Sequence, residues 1–380
     1  MVGGRLSCRL AWGVKVTTSG LIEWLGDGLA LALLGLVVGL VFGAAAQRSQ
    51  FCLRAATVEV SRGTLGPKLA IWLLAFGAAV VATQGLVAAG LLDVRSARQL
   101  AGRGSLSGAV LGGLLFGAGM VLARGCASRL LVLSATGNLR ALITGLIVTL
   151  VAQASFRGIL APLREWMAGL WTIEGGAFRS LLGPVDGNAV FGLAIGLAWL
   201  APGIWLAVCH RIRRDRAMSA LVVGLAVAGG WASTYALTQL AFEPVAVKSI
   251  SFTGPSADTL MALINQPSLP LGFDVGLIPG VFAGSLLAAA VGGDLALQGY
   301  EGGASMLRYI AGAVMMGFGS MLAGGCAVGA GVSGGAILAT TAWIALLAMW
   351  IGAGVTDRLI DREPVEGVSM PPGVSPVPRR

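Results

Sequence analysis

Apolar residues run through this chain in blocks of about twenty, parted by short stretches where Arg, Asp, Gly and Pro collect. A helix of roughly 20 apolar residues crosses about 30 Å of hydrocarbon. Backbone groups in lipid must bond within their own segment, so the blocks predict spanning helices and not strands. Nine are expected, at 27–47, 67–91, 106–124, 139–162, 187–210, 217–241, 274–292, 307–323 and 334–355. Three further apolar pieces are too brief to cross: Phe51–Val58, Ala127–Ala135 and Ala327–Gly335, each beginning at or beside a cysteine. Short Gly-interrupted pieces at matching positions in two halves point to a substrate path in a membrane protein. Ala127–Ala135 and Ala327–Gly335 are therefore expected to be re-entrant half-helices, the plainer alternative being surface loops. An interfacial helix is expected around Leu163–Leu170, whereas Pro244–Pro270, rich in Ser, Pro and Gly, reads as loop.

Composition strengthens this picture. With 56% hydrophobic and 11% charged residues, the chain is too apolar for a soluble domain of its length. The expected fold is thus all-α: a polytopic membrane protein of about nine transmembrane helices with short half-helices, embedded in a lipid bilayer. The organisation follows: an N-terminal segment at 1–26, one transmembrane domain at 27–355, and a flexible tail at 356–380. The N-terminal segment lacks a continuous apolar stretch and an evident cleavage site, so it does not read as a signal peptide. A net charge of +9 does not indicate nucleic-acid binding, because the Arg and Lys residues lie mostly at span ends. The short cluster His210–Arg216 sets orientation: it is expected to be cytoplasmic, as is the loop holding Arg48, Arg54, Arg62 and Lys68. Arg95, Arg98 and Arg103 then fall on the outer side, against the rule.

Within this frame one phrase is written twice. Gly117–Ala127 reads GAGMVLARGCA and Gly317–Ala327 reads GFGSMLAGGCA, identical at seven of eleven positions. The shared residues include Gly125/Gly325 and Cys126/Cys326. The first copy follows span three and the second follows span eight. Five spans separate them, so the copies enter from opposite faces. That is an inverted-topology repeat, with halves at 27–186 and 187–355. Two half-helices dipping in from opposite faces would bring Cys126 and Cys326 to one path.

Five cysteines, at 8, 52, 126, 209 and 326, are odd in number and widely spaced, which argues against a disulfide framework and gives no metal-ligand spacing. A single free cysteine usually packs as a small hydrophobe. That reading is taken for Cys209; Cys8 is treated as incidental, and for Cys52 both readings stand. The duplicated glycine frame favours a path role for Cys126 and Cys326. A thiol is a weak donor and a soft, polarizable partner, suited to an anion whose charge sits partly on sulfur. Arg124 and Arg48 could add charge at a mouth, or simply snorkel from span ends. Gly125 and Gly325 could line the path beside the cysteines. Gln84, Gln153 and Gln239 could line it too, or bond helix to helix. No carboxylate lies mid-span where a proton relay would need one, and no Walker-type loop is present.

QRSQFC around Cys52, together with the two copies around Cys126 and Cys326, resembles the YeeE/YedE family of sulfur-transport membrane proteins. The resemblance covers about residues 30–355. It implies a permease taking up thiosulfate across the bacterial inner membrane, not an enzyme, with no cofactor and no metal. It also implies that Cys52, Cys126 and Cys326 pass the ion along by S–H···S hydrogen bonds. The second half has no cysteine matching Cys52, and SFTGPS at Ser251–Ser256 is the nearest analogue. Other family members are linked to selenium or other sulfur compounds, and some work beside a small TusA-like sulfur-carrier protein, so both enter as expectations. A different class of function remains open: a membrane-embedded sulfurtransferase that forms a persulfide on one cysteine.

Overall fold

The computed structural model describes residues 26–183, 189–241, 245–265, 270–299 and 303–360. Cys8 and most of the expected tail lie outside the described residues. The described chain is predominantly helical, with one two-residue strand pair, Gly104–Ser105 against Thr172–Ile173. Leaving aside a four-residue turn of helix at Arg98–Ala101, the chain opens with α1 (Asp27–Ser49), α2 (Leu53–Ser61), α3 (Pro67–Ala88), α4 (Leu106–Leu122), α5 (Ala127–Ala135) and α6 (Leu139–Arg157). Then come α7 (Ala161–Gly169), α8 (Ala189–Cys209), α9 (Arg214–Thr238), α10 (Thr253–Asn265), α11 (Phe273–Gly292) and α12 (Gly303–Leu322). A π-helical turn over Ala327–Ser333 leads to α13 (Thr340–Ile360). Among the described residues, nine helices are long and apolar enough to span a membrane.

The helices pair in a pattern that repeats when two sets are exchanged. Where α1 packs on α11, α9 packs on α3. Where α4 packs on α13, α12 packs on α6; where α2 meets α13, α10 meets α6. Helices α4 and α12 cross each other at the centre. The sequence division placed α8 in the second half, but α8 packs on the flank of α3 and has no counterpart in the first set.

The repeated glycines build this centre. A Cβ on Gly119 would lie 2.6 Å from Gly312 O, and one on Gly319 would lie 2.7 Å from Phe116 N. Gly117 abuts the Met349 carbonyl of α13, and Gly317 lies against Val148 O of α6. Without a hydrophobic driving force between helices in lipid, close backbone approach through small residues supplies the packing. The Gly-x-Gly of each copy is therefore a helix-crossing device.

One face of the bundle gathers the chain ends that the charge pattern grouped together. The His210 ring Nε2 bonds Leu65 O at 2.5 Å, bringing the end of α8 to the α2–α3 turn. Arg62, just after α2, pairs with Asp357 near the end of α13 at 2.9 Å. Arg211, Arg213, Arg214 and Arg358 follow the same helix ends.

Two expectations need correction. Residues 244–270 are not all loop, because α10 occupies Thr253–Asn265. Its amphipathic pattern is short and opens on Gly254 and Pro255, which resemble loop signals; yet a proline in the first turn is a helix-start residue. The last helix runs to Ile360, past the expected boundary at 355, because Asp357 is buried and bonded where a tail would leave it solvated. A helix does occupy the stretch expected near Leu163, as α7.

Candidate functional site

Each of the three cysteines of interest stands at the N-cap of a short helix. Cys52 caps α2, Cys126 caps α5 and Cys326 caps the π-helical turn. A left-handed residue sits just ahead of each: Gln50 (φ 55°), Arg124 (φ 54°) and Gly324 (φ 82°). These turns stop one helix and aim the start of the next. At Cys326 the cap is closed, with Gly329 N–H donating to Sγ at 3.4 Å. At Cys52 and Cys126 the amides of Ala55 and Arg129 approach the sulfur from the same third position without closing the bond. Their sulfurs are thus less committed to the local backbone.

Those two sulfurs meet. The Cys52 and Cys126 side chains lie within interaction range of each other, and both residues are buried. Ser128 Oγ lies 3.3 Å from Cys126 Sγ and extends the donor cluster. The leading amides of α2 and α5 both begin at this pair, and helix N-termini favour negative charge. Arg129 adds a full charge one turn into α5, within electrostatic reach of Cys52 together with Arg54. Its Nη1 donates to Gln47 Oε1 at 3.4 Å, and Gln47 Nε2 reaches Asp294 Oδ2 at 3.5 Å. Among the described residues Arg129 forms no ion pair, so an amide, not a carboxylate, holds it. Its charge remains available to a passing anion.

The second copy is built differently. Arg129 corresponds to Gly329, and Ser251 fills the space a side chain there would take. Ser333 Oγ donates to Ile250 O at 2.6 Å and Trp231 Nε1 to Ser333 O at 3.2 Å, strapping the extended 245–252 segment to the π-helical turn. Cys326 is buried at the start of this turn, as Cys126 is at the start of α5.

Between the halves lies a cavity of about 210 Å³, walled by α5, α6 and α10. It runs from Ala127, next to Cys126, to Phe252 and Thr253 at the start of α10.

The other residues singled out by sequence are placed as follows. Arg48 and Arg124 are exposed, and the cations beside the thiols are Arg129 and Arg54 instead. Gly125 and Gly325 are buried turn residues; a Cβ on Gly325 would meet Ala330 N at 2.7 Å, whereas one on Gly125 would meet the Leu130 side chain first, at 3.3 Å. Cys209 is exposed at the end of α8, which corrects its reading as a core hydrophobe: α8 lies on the flank of α3, and this side of its end faces outward. Gln84 bonds Ala336 O at 2.7 Å and so ties α3 to the segment after the π-helical turn. Arg129 and Gln47 were missed by sequence reasoning. The available signal was their spacing, one helical turn after Cys126 and at the last turn of α1.

The model of the family described as "Sulphur transport" matches residues 48–355, a stretch that starts just before Cys52 and includes Cys126 and Cys326. The thiosulfate transporter TsuA of Escherichia coli (strain K12) is 26% identical over 355 residues, covering 87% of this chain and 95% of that protein. The thiosulfate transporter TsuA of Spirochaeta thermophila is 27% identical over 339 residues, covering 85% of this chain and 98% of that protein.

Proposed function

This chain belongs to the sulphur transport (YeeE/YedE) family, and on that footing we propose that it is a permease that passes thiosulfate between the Cys52–Cys126 pair and Cys326. The observation that carries this reading is the meeting of Cys52 and Cys126, each at a helix N-terminus, in a buried setting with Arg129 nearby. The sulfane sulfur of thiosulfate is soft and accepts weak S–H hydrogen bonds. Helix ends and Arg129 offset the charge of the ion, and weak donors let it leave again, as conduction requires. Because thiols that only hydrogen-bond are not consumed, the protein is a transporter and not an enzyme. The arginine-rich face is taken as the cytoplasmic one by the positive-inside rule, an orientation that suits a bacterial inner-membrane permease.

Uptake of radiolabelled thiosulfate into proteoliposomes tests the reading. Vesicles with the native chain accumulate label, and vesicles with Cys126→Ala fall to the protein-free background. Uptake by Cys126→Ala at the native rate overturns the thiol path. Intact mass after thiosulfate exposure stays unchanged; a gain of one sulfur atom on a cysteine would mark a sulfurtransferase instead.

A further inference from the structure

The duplicated fold leaves one position without a thiol. Cys52 follows Phe51 at the start of α2; Thr253 follows Phe252 at the start of α10, the helix that exchanges with α2 in the pairing pattern. Thr253 is 2% exposed, and its Oγ1 has no hydrogen-bond partner. The ordinary use for such a hydroxyl is to cap its helix by accepting from the amide three residues on. That amide, Ser256 N, is already bonded to Phe252 O at 2.9 Å. A buried hydroxyl left without a partner is uncommon and asks for an explanation.

The surroundings supply one. Thr253 lines the cavity that reaches Ala127 beside Cys126, and Ser256 and Thr259 follow on the same face of α10. Thr259 Oγ1 likewise has no partner. A Cβ on Gly254 would meet nothing within 4 Å, so the first turn of α10 is open to a close neighbour. Two residues earlier, Ser251 touches Gly329, whose amide caps Cys326. Thr253 therefore stands between the helix that begins at Cys126 and the turn that begins at Cys326. A threonine side chain exchanges its methyl and hydroxyl by one χ1 step between staggered wells, so the donor can swing into the cavity.

We propose that Thr253 is the oxyanion-binding counterpart of Cys52: its hydroxyl, at the N-terminus of α10, donates to the sulfonate oxygens of thiosulfate while thiols hold the sulfane end. An O–H is a harder and stronger donor than an S–H and matches oxygen, as the thiol matches sulfur. The apolar walls of the cavity, Leu130, Leu131, Leu260 and Ile278 among them, lower the local dielectric and strengthen that bond. Ser256 and Thr259 continue the hydroxyl row along α10, offering the oxygens successive weak points.

This rests on the transport reading above, so native protein and Thr253 variants are compared in the same vesicles. Native vesicles that take up no thiosulfate defeat the transport reading itself. Given native uptake, Thr253→Val keeps the shape and removes the donor. It is expected to raise the half-saturation concentration about tenfold to a hundredfold, the span of one hydrogen bond to a charged group. Thr253→Ser keeps the native value. A Val variant with native half-saturation, or one that lowers only the maximal rate, overturns the inference. If Val does not fold, Thr253→Ala against Thr253→Ser gives the same comparison.

Discussion

The thiols of Cys52 and Cys126 face one another across the starts of two separate helices, α2 and α5. Neither helix packs there for its own sake; the turns at Gln50 and Arg124 deliver both sulfurs to the same point. Mild oxidation is therefore expected to join Cys52 to Cys126, the two thiols giving up two electrons and two protons to the oxidant. Peptide mass spectrometry reads the product. A Cys52–Cys126 linked peptide is expected, with Cys326 remaining free; linkage of Cys326 to either would contradict the pairing.

Of the arginines near the cysteines, Arg129 and not Arg124 is expected to matter for uptake. Arg129→Gln removes a charge that an amide, Gln47, holds in place beside the thiols. Initial thiosulfate uptake should fall about tenfold or more, since one unit charge in a partly buried site is worth on the order of 1–3 kcal/mol. Arg124→Gln, at an exposed position, should stay close to native. Equal losses in the two variants would remove the distinction.

Asp357 is a buried carboxylate held by Ser61 Oγ at 2.6 Å and by Arg62 Nη2 and Nε at 2.9 and 3.2 Å. It anchors the far end of α2, and thus the helix that begins at Cys52. Arg62→Ala leaves Asp357 buried with its main partner gone, a loss of about 3–5 kcal/mol. Asp357→Asn keeps a hydrogen-bonding group and frees a half-exposed arginine to water, so about 1–2 kcal/mol is expected. Thermal unfolding in detergent should rank Arg62→Ala as the less stable.

The glycine crossing makes opposite predictions for two positions. Gly119→Val places a side chain into Gly312 of α12 and should prevent stable folding. Gly229 lies inside α9, where an added Cβ meets nothing within 4 Å. Gly229→Ala should raise stability by about 0.5–1 kcal/mol through reduced backbone entropy. Denaturation midpoints measured side by side check both signs.

Asp258 on α10 supplies a pH dependence. Crowding by protein pushes its carboxyl above the usual range, Asp274 adds to the shift, and Arg157, Lys248 and Arg98 oppose it. The folded chain then binds more protons here than the unfolded chain. Stability contributed by this group is present at low pH and declines as pH rises from the ordinary aspartate range through the raised value. Asp258→Asn should flatten that decline, leaving the variant at least as stable as native at neutral pH. Melting temperatures across a pH series test it, and a steeper decline in the variant would reverse the sign.

Much of the fold was legible because bilayer thickness acts directly on the chain. A span needs about twenty apolar residues, and nothing else in this composition explains nine such blocks. The short helix at Ala127–Ala135 was legible with the same bounds, since a cysteine and a glycine turn mark its start. Helix α10 was not, because thirteen residues opening on Gly-Pro carry too few turns of periodicity to stand out from a loop. Arg124 drew attention by lying two residues from Cys126. The left-handed turn at Arg124 leaves it exposed, while Arg129 returns to the site one helical turn later.

By itself the sequence determined the membrane class, the spanning segments and the duplication, since each depends on local apolarity or on similarity between stretches of one chain. Only the tertiary structure decided that Cys52 meets Cys126, that Gly-x-Gly serves the crossing of α4 and α12, and that Thr253 opens the helix that exchanges with α2. These are contacts between residues far apart in the chain. They follow from how helix axes cross and which way each side chain leaves its axis, and apolarity along the chain specifies neither.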